Sequence, residues 1–524
     1  MKNRLFYSVL IALTLLSSNA FAQELFNYPQ FEMKGLKNIK LEHSRYIYDD
    51  KMEKTPFGYL VQEGSGLLDK NYQFHHYNKN FERMASSKVV PDLVPSMDNE
   101  ASYSLEKVVY TDSKMFVFYE RYGKKDGMAS LHYVEVAPNS LKKMGAAKKI
   151  AQHKIYYTNT VQDRGWFRVD QSCRNGWIKI VNVHAKTEEQ IQEISVFDKD
   201  MQSLDIEYPE DDEVVNKIPA TYSFYSPTYT IGDDFLFVAN SNEATSTAYN
   251  SREIILRRFY MEKDELKLKE FNYIPKHDGG EFQLKGYRIK NGKVAIFGKI
   301  IQEDHHCIGV YVCQIDIETQ KLDYEWTFDF QDYDKSKFSE TFVSEIIDGL
   351  NTNVVNRQKN ILLLASDSGM YVGFERYNAS YSGSSQYIRN EDILIFYIDK
   401  NQGFQNLSKI DKNQISKKEK TEYLASKYMY TDKDGALKII FYDKPKNVSP
   451  APLNSQSSKP QILETTLLPN GEASTKSIGV LKSNNYEYYL NFNLYIRLED
   501  SENNYLMSIT NGSEAKWAII SLKE

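Results

Sequence analysis

Asp304, His305, His306 and Cys307 are the densest group of potential metal ligands in the chain. Neighbours along a strand alternate sides, so four consecutive residues cannot converge on one ion, and no second His, Cys or Asp group stands at ligand spacing from them. An exposed hairpin tip is the expectation, with no metal and no cofactor. The run Asp432-Lys433-Asp434-Gly435 opens like a calcium loop. That loop needs an oxygen ligand at its fifth position, Gly at its sixth and Glu at its twelfth, where this chain has Ala436, Leu437 and Asp443. It reads as a solvated turn. Gly64-Ser65-Gly66 is followed by Leu67, Leu68 and Asp69, which breaks the dinucleotide pattern and leaves a hairpin turn.

Nucleophilic hydrolysis needs a serine or cysteine that a histidine can activate, and no G-x-S-x-G elbow or H-E-x-x-H helix occurs. His75 and His76 are adjacent on a predicted strand and so face opposite ways. Glycosidase chemistry needs two carboxylates a few ångströms apart, and among 71 acidic residues sequence cannot say which would meet. No catalytic residue is assigned, and the balance leans away from an enzyme. Cys307 and Cys313 lie about 20 Å apart along a continuous strand, beyond disulfide reach. With Cys173 in a turn, all three cysteines are expected as free thiols.

The elements that must carry any site repeat along the chain. Glu281 to Phe330 reads as four strands: FQLKGYRI, a turn at Lys290-Asn291-Gly292, VAIFGKI, a polar loop, IGVYVCQIDI, a turn from Glu318 to Lys321, and LDYEWTFDF. Its third-to-fourth turn recurs at Tyr77, Val136, Phe197, Met261, Ile317, Ile398 and Leu468. The first-to-second turn recurs at Thr111, Ser172, Ile231, Lys290, Ser366, Asp432 and Glu499. Second strands such as MFVFY from Met115, WIKIV from Trp177 and LKIIFY from Leu437 are apolar throughout, as befits a sheet covered on both faces.

These features predict an all-β fold, a seven-bladed β-propeller of four-stranded antiparallel blades. Surplus strands at Gly58 to Gln62 and Lys516 to Leu522 keep eight blades as the alternative. The ends must share a blade, with closure expected between strands near Tyr72 to Phe81 and near Tyr495 to Ile509. The domain plan is a signal peptide over 1–22, an extended lead-in over 23–57 and one propeller over 58–524. Phe338 to Leu350 could be a short helix or a strand. With D-x-[DN]-G chemistry in its turns, the chain resembles the broad class of secreted bacterial β-propeller-like repeat proteins. That resemblance implies a fold and transfers no active-site residue.

Lys2 and Arg4, an apolar run from Leu5 to Leu16, and Ala20 and Ala22 before Gln23 form the expected signal peptide, so a periplasmic or secreted protein is anticipated. No later stretch is long and apolar enough for a membrane span. A net charge of -6 without a basic stripe makes nucleic acid an unsuitable partner. The second-to-third connections, Asn240 to Arg252, Asn378 to Glu391 and Lys444 to Pro460, are expected as long loops on one face. Candidate ligand contacts are Arg376, Tyr377, Tyr381, Tyr387 and Arg389, with Asn240, Tyr249, His305 and His306 in neighbouring repeats. The functional expectation is a non-catalytic binding or scaffold propeller recognising an exported protein or a glycan. The alternative is a hydrolase or lyase acting on a glycan or peptide in the central funnel.

Overall fold

The structure is a computed structural model. It describes residues 30–37 and most of 51–523; the larger intervals outside the description are 38–50, 184–191, 208–221, 352–360, 418–426 and 450–460, with short breaks at other turns. The signal-peptide region and Cys173 lie outside it. The chain divides into two compact units, one of residues 48–323 and one of residues 1–47 with 324–524.

Eight sheets of four or more strands follow one another among the described residues, numbered I to VIII here. Sheet I is Lys51–Thr55, Gly58–Ser65, Asn71–Tyr77 and Arg83–Lys88. Sheet II is Ala101–Tyr110, Met115–Gly123, Met128–Ala137 and Lys148–Lys154. Sheet III is Trp166–Gln171, Ile178–Val183, Gln192–Phe197 and Ser203–Leu204. Sheet IV is built on Asp234–Thr245, Ala248–Glu262 and Glu265–Tyr273. Sheet V is Glu281–Lys290, Lys293–Ile301, Cys307–Asp316 and Lys321–Asp329. Sheet VI is Ile361–Ala365, Gly369–Ser382, Ser385–Asp399 and Gly403–Ile410. Sheet VII is Lys427–Thr431, Leu437–Asp443, Gln461–Leu467 and Ala473–Gly479. In each of these, consecutive strands pair antiparallel as a meander. Among the described residues these sheets number eight, which does not confirm the expected seven blades.

Sheet VIII settles how the chain ends are used. It runs from Leu481–Ser483 through Tyr486–Arg497, Asn504–Thr510 and Ala515–Lys523 to Gln30–Lys37, which pairs antiparallel with the last strand. The two ends do share a sheet, but through other strands than the sequence suggested. Asn71–Tyr77 is taken up inside sheet I, and Asn504–Thr510 is already flanked on both edges. The lead-in supplies the strand that pairs with Ala515–Lys523 instead.

The turns show why the repeat is legible. Asn78, Asp198, Asp399, Asp432 and Asn470 each turn their Oδ1 back to accept backbone N–H groups further on, such as those of Asp200 and Gln202 at 2.8 Å or Asp434 and Ala436 at 3.0 and 2.9 Å. This side-chain imitation of a backbone turn is the reason Asp or Asn recurs there. Between turns the second strands are buried on both faces, with every residue of Ile178–Val183 covered. Each such Val, Ile or Phe contributes roughly 1.5–3 kcal/mol on burial.

Glu340–Asn351 is a helix, resolving the ambiguity at Phe338 to Leu350. Phe328 holds its entry, with ring centroids 4.8 Å from Phe338, 5.0 Å from Phe396 and 5.2 Å from Phe404. Lys409 ties it down through Glu345 at 3.3 Å and also meets Asp392 at 2.9 Å.

Removing residues 1–37 leaves the strand Ala515–Lys523 with an open edge. The truncated protein should melt several degrees lower and associate with rising concentration. Thermal melts and size-exclusion chromatography read both, and an unchanged melt of a monodisperse protein contradicts the shared-sheet account.

Candidate functional site

The apolar second strands share one exception. Each ends, at the side away from its tight turn, in a polar residue: Glu120 in sheet II, Asn182 in III, Asn240 in IV, Lys299 in V, Glu375 in VI and Asp443 in VII. Glu120, Asn182, Lys299, Glu375 and Asp443 are all under 9 % exposed. A buried polar group persists only if its hydrogen bonds are met, so these five residues must make specific contacts.

In sheets II and V a second residue joins it. A β-bulge between Leu105 and Lys107 makes Glu106 the extra residue of its strand, and the same bulge between Leu284 and Gly286 singles out Lys285. Bulges re-aim side chains, and here each brings a like charge to the one already present. Burial and the Glu120 carboxylate push Glu106 up to about 7. Burial and the Lys299 ammonium push Lys285 down to about 7. Two repeats thus present matching pairs of opposite sign at one position in the sheet.

Around Glu106 the residues of unit 48–323 assemble a polar site. The first strand of sheet III is an edge, and its outward N–H groups need acceptors. Phe167 N–H donates to Glu120 Oε1 at 3.3 Å and Val169 N–H to Glu106 Oε1 at 3.4 Å. Further along the same two strands, Tyr110 N–H donates to Gln171 Oε1 at 3.1 Å, and the Gln171 amide returns a bond to the Tyr110 carbonyl. Glu120 also accepts the Ser104 hydroxyl at 3.3 Å and the Tyr122 hydroxyl. Glutamates and a glutamine thereby complete a sheet edge that no strand covers.

Asp170 lies on the same edge strand and pairs with Arg168 at 3.1 Å and with the fully buried Lys179 at 3.2 Å. Burial pushes Lys179 down to about 7 against the opposing pull of Asp170. Tyr287, from the first strand of sheet V, feels both Arg168 and Asp170, and its burial raises the phenol to about 12. First strands of three sheets therefore contribute to one polar region. At neutral pH it offers a half-buried carboxylic acid, a neighbouring carboxylate held by three donors, a guanidinium and a phenol that stays protonated. Such a set can donate and accept hydrogen bonds in several directions and can give up a proton.

The other unit has its own buried constellation. Glu375 forms ion pairs with Lys412 and Lys427, and the side chains of Glu375 and Lys412 are wholly buried. The lysine charges hold the Glu375 carboxyl below its ordinary range despite burial, and burial lowers Lys427 to about 8. Asp443, one repeat on, accepts the N–H groups of Asn413 at 3.0 Å and Lys444 at 2.6 Å.

The residues singled out from sequence fall elsewhere. Asn378 to Glu391 and Asn240 to Arg252 are not loops but long antiparallel hairpins, paired as far as Ser382 with Ser385 and Thr245 with Ala248. Their polar, tyrosine-rich sequences continue the ladder because backbone pairing does not require apolar side chains. Arg376 occupies the register shift that begins the ribbon. Tyr377 pairs with Asn390, Asn378 with Arg389, Ser380 with Tyr387 and Tyr381 with Gln386. Asn240 pairs with Ile254 and Tyr249 with Ala244. His305 lies outside the described residues, and His306 is an exposed residue leading into the buried Cys307. Asn240, Tyr249 and His306 belong to one unit and the arginines and tyrosines of the ribbon to the other. Cys307 and Cys313 are buried free thiols. Glu106, Glu120, Arg168, Asp170, Lys179 and Tyr287 were missed. The signal for part of them was present, since a charged or amide residue closes each apolar second strand at the repeat interval.

Because Glu106 binds its proton more tightly folded than unfolded, its contribution is fully present below about pH 4.5 and is lost as pH rises through about 7. Replacing it by Gln should leave stability nearly unchanged at pH 4.5 and raise it at pH 8 by about 3 kcal/mol. Urea unfolding at the two pH values measures this, and a variant equally stable or weaker at pH 8 refutes the assignment.

No family model matches the chain, and no curated protein matches it. Solved structures do. The polysaccharide lyase Uly1 aligns at 9% identity with a TM-score of 0.34, covering 83% of this chain and 94% of its own. The Dos1 propeller aligns at 9% identity and a TM-score of 0.34, covering 96% and 97%. The β-propeller domain of the Trilobed protease from Pyrococcus furiosus aligns at 8% identity and a TM-score of 0.27, covering 83% and 97%. At these identities and scores the account of the site rests on its own residues.

Proposed function

We propose that the protein is an exported β-propeller that binds a hydroxyl-rich ligand, a glycan, at the polar region around Glu106. The observation that carries this reading is the Glu106–Glu120 pair, in which one carboxyl, raised to about 7, keeps its proton into the neutral range beside another that accepts three hydrogen bonds. A neutral acid donates to a sugar hydroxyl and accepts from another, and Arg168 and Tyr287 extend the same capacity. The ribbon carrying Arg376, Tyr377, Tyr381, Tyr387 and Arg389 is, in this reading, a separate contact surface for an exported protein. A hydrolase or lyase is the second reading, and Glu106 is again what favours it, since a carboxyl raised to about 7 can protonate a leaving oxygen.

A glycan array followed by calorimetry on the hits tests both. Wild-type protein should capture a glycan whose affinity falls about tenfold between pH 6 and pH 8 as Glu106 ionises. Glu106→Gln should bind without that pH dependence, and Glu106→Ala should lose at least tenfold. Capture of no glycan, or capture indifferent to Glu106→Ala, sinks the binding site. Release of new chain ends that Glu106→Gln abolishes establishes catalysis instead.

A further inference from the structure

Sheets II and III meet at a second place, on the outer side of sheet II. There Lys149, Ile150, Ala151 and Gln152 of the fourth strand face Ile180, Asn182, Glu193, Ser195 and Phe197 across a cleft of about 360 Å³. That volume lies within the usual range for small-ligand pockets, about 300–1,000 Å³. A bulge between Lys149 and Ala151 releases Ile150 from the ladder and opens the strand toward the cleft.

The lining divides by chemistry. Its floor is apolar, made by the buried Ile180 and the half-buried Ile150, Ala151 and Phe197. Its two walls carry opposite charge, Lys149 on sheet II and Glu193 on sheet III. Both charges are set in place by hydrogen bonds. Lys149 Nζ donates to Gln152 Oε1 at 2.5 Å, which occupies one of its three donors. Glu193 Oε2 accepts the Asn182 amide at 2.9 Å, and that amide also reaches the Gln152 carbonyl at 3.4 Å. Asn182 is 3 % exposed and is itself fixed from behind. Its amide nitrogen serves two acceptors, so its Oδ1 must accept, and His153 Nδ1 is the donor at 2.6 Å. The His153 ring stacks on Phe167 at 4.7 Å, completing a rigid support for Glu193.

We infer that this cleft is a binding site for a small zwitterion, a free α-amino acid or dipeptide with an apolar side chain. Its ammonium meets Glu193, its carboxylate meets Lys149, and its side chain lies over Ile180 and Phe197. One anion and one cation on facing walls give no net preference for an ion of either sign, and reward a ligand carrying both. Of these residues only Phe167 also belongs to the site around Glu106, through its backbone N–H to Glu120, and it does not line the cleft, so the inference stands apart from the glycan reading.

Calorimetry and thermal shift with L-leucine and L-leucyl-L-leucine test it on the full-length mature protein. Either ligand should bind and raise the melting temperature. N-Acetyl-leucine, which lacks the ammonium, and leucine amide, which lacks the carboxylate, should each bind at least tenfold more weakly. Both Glu193→Gln and Lys149→Met alter exposed side chains and should fold normally, while each weakens leucine at least tenfold. Glu193→Gln should leave N-acetyl-leucine unaffected, and Lys149→Met should leave leucine amide unaffected. The inference is overturned if leucine and its dipeptide do not bind, if N-acetyl-leucine amide binds as well as leucine, or if methyl glucoside binds while leucine does not.

Discussion

Every sheet in this protein has edges whose N–H and C=O groups must find partners, and the molecule meets that demand with side chains where strands are lacking. Between sheets II and III the partners are Glu106 and Glu120, reaching across to the strand Trp166–Gln171, and Gln171, reaching back from that strand to Tyr110. At the ends of the chain the partner is a strand, Gln30–Lys37. Polar residues at the ends of the second strands follow from the same requirement. Once such residues are fixed by the fold, a bulge is enough to add a second charge and turn a structural contact into a reactive environment. Acid–base character in this protein therefore originates in the completion of sheet edges.

Much of the fold was legible because it is written in local chemistry. Asp399 and Asn470 stand where a side chain must imitate a turn, and the apolar second strands announce sheets covered on both faces. The hairpins around Tyr381 and Tyr249 were not legible, because a strand outside the core keeps its ladder without keeping an apolar pattern. Closure was misplaced for a related reason. Gln30–Lys37 is short and mixed in character, and only its partner, found at the other end of the chain, makes it a strand.

The site was less legible than the fold. Glu120 could have been flagged by its position, but its companion Glu106 depends on a register shift that no sequence pattern announces. Tyr287 is far in the chain from Arg168 and Asp170, and it meets them only because first strands of different sheets approach one another. The Glu375–Lys412–Lys427 constellation shows the same limit, since three charged residues in unremarkable polar stretches become one fully buried network.

The shared sheet also imposes an order on folding. Gln30–Lys37 is made well before its partner Ala515–Lys523, and the segments of all seven other sheets lie between the two. Sheets I to VII are each assembled from segments close in sequence and can form as they appear. Sheet VIII cannot be completed until Ala515–Lys523 has been made, and its pairing closes a loop that contains the other seven sheets. The nascent chain therefore carries an unsatisfied strand until that segment appears. In time as well as in space, the first strand is held in reserve for the last.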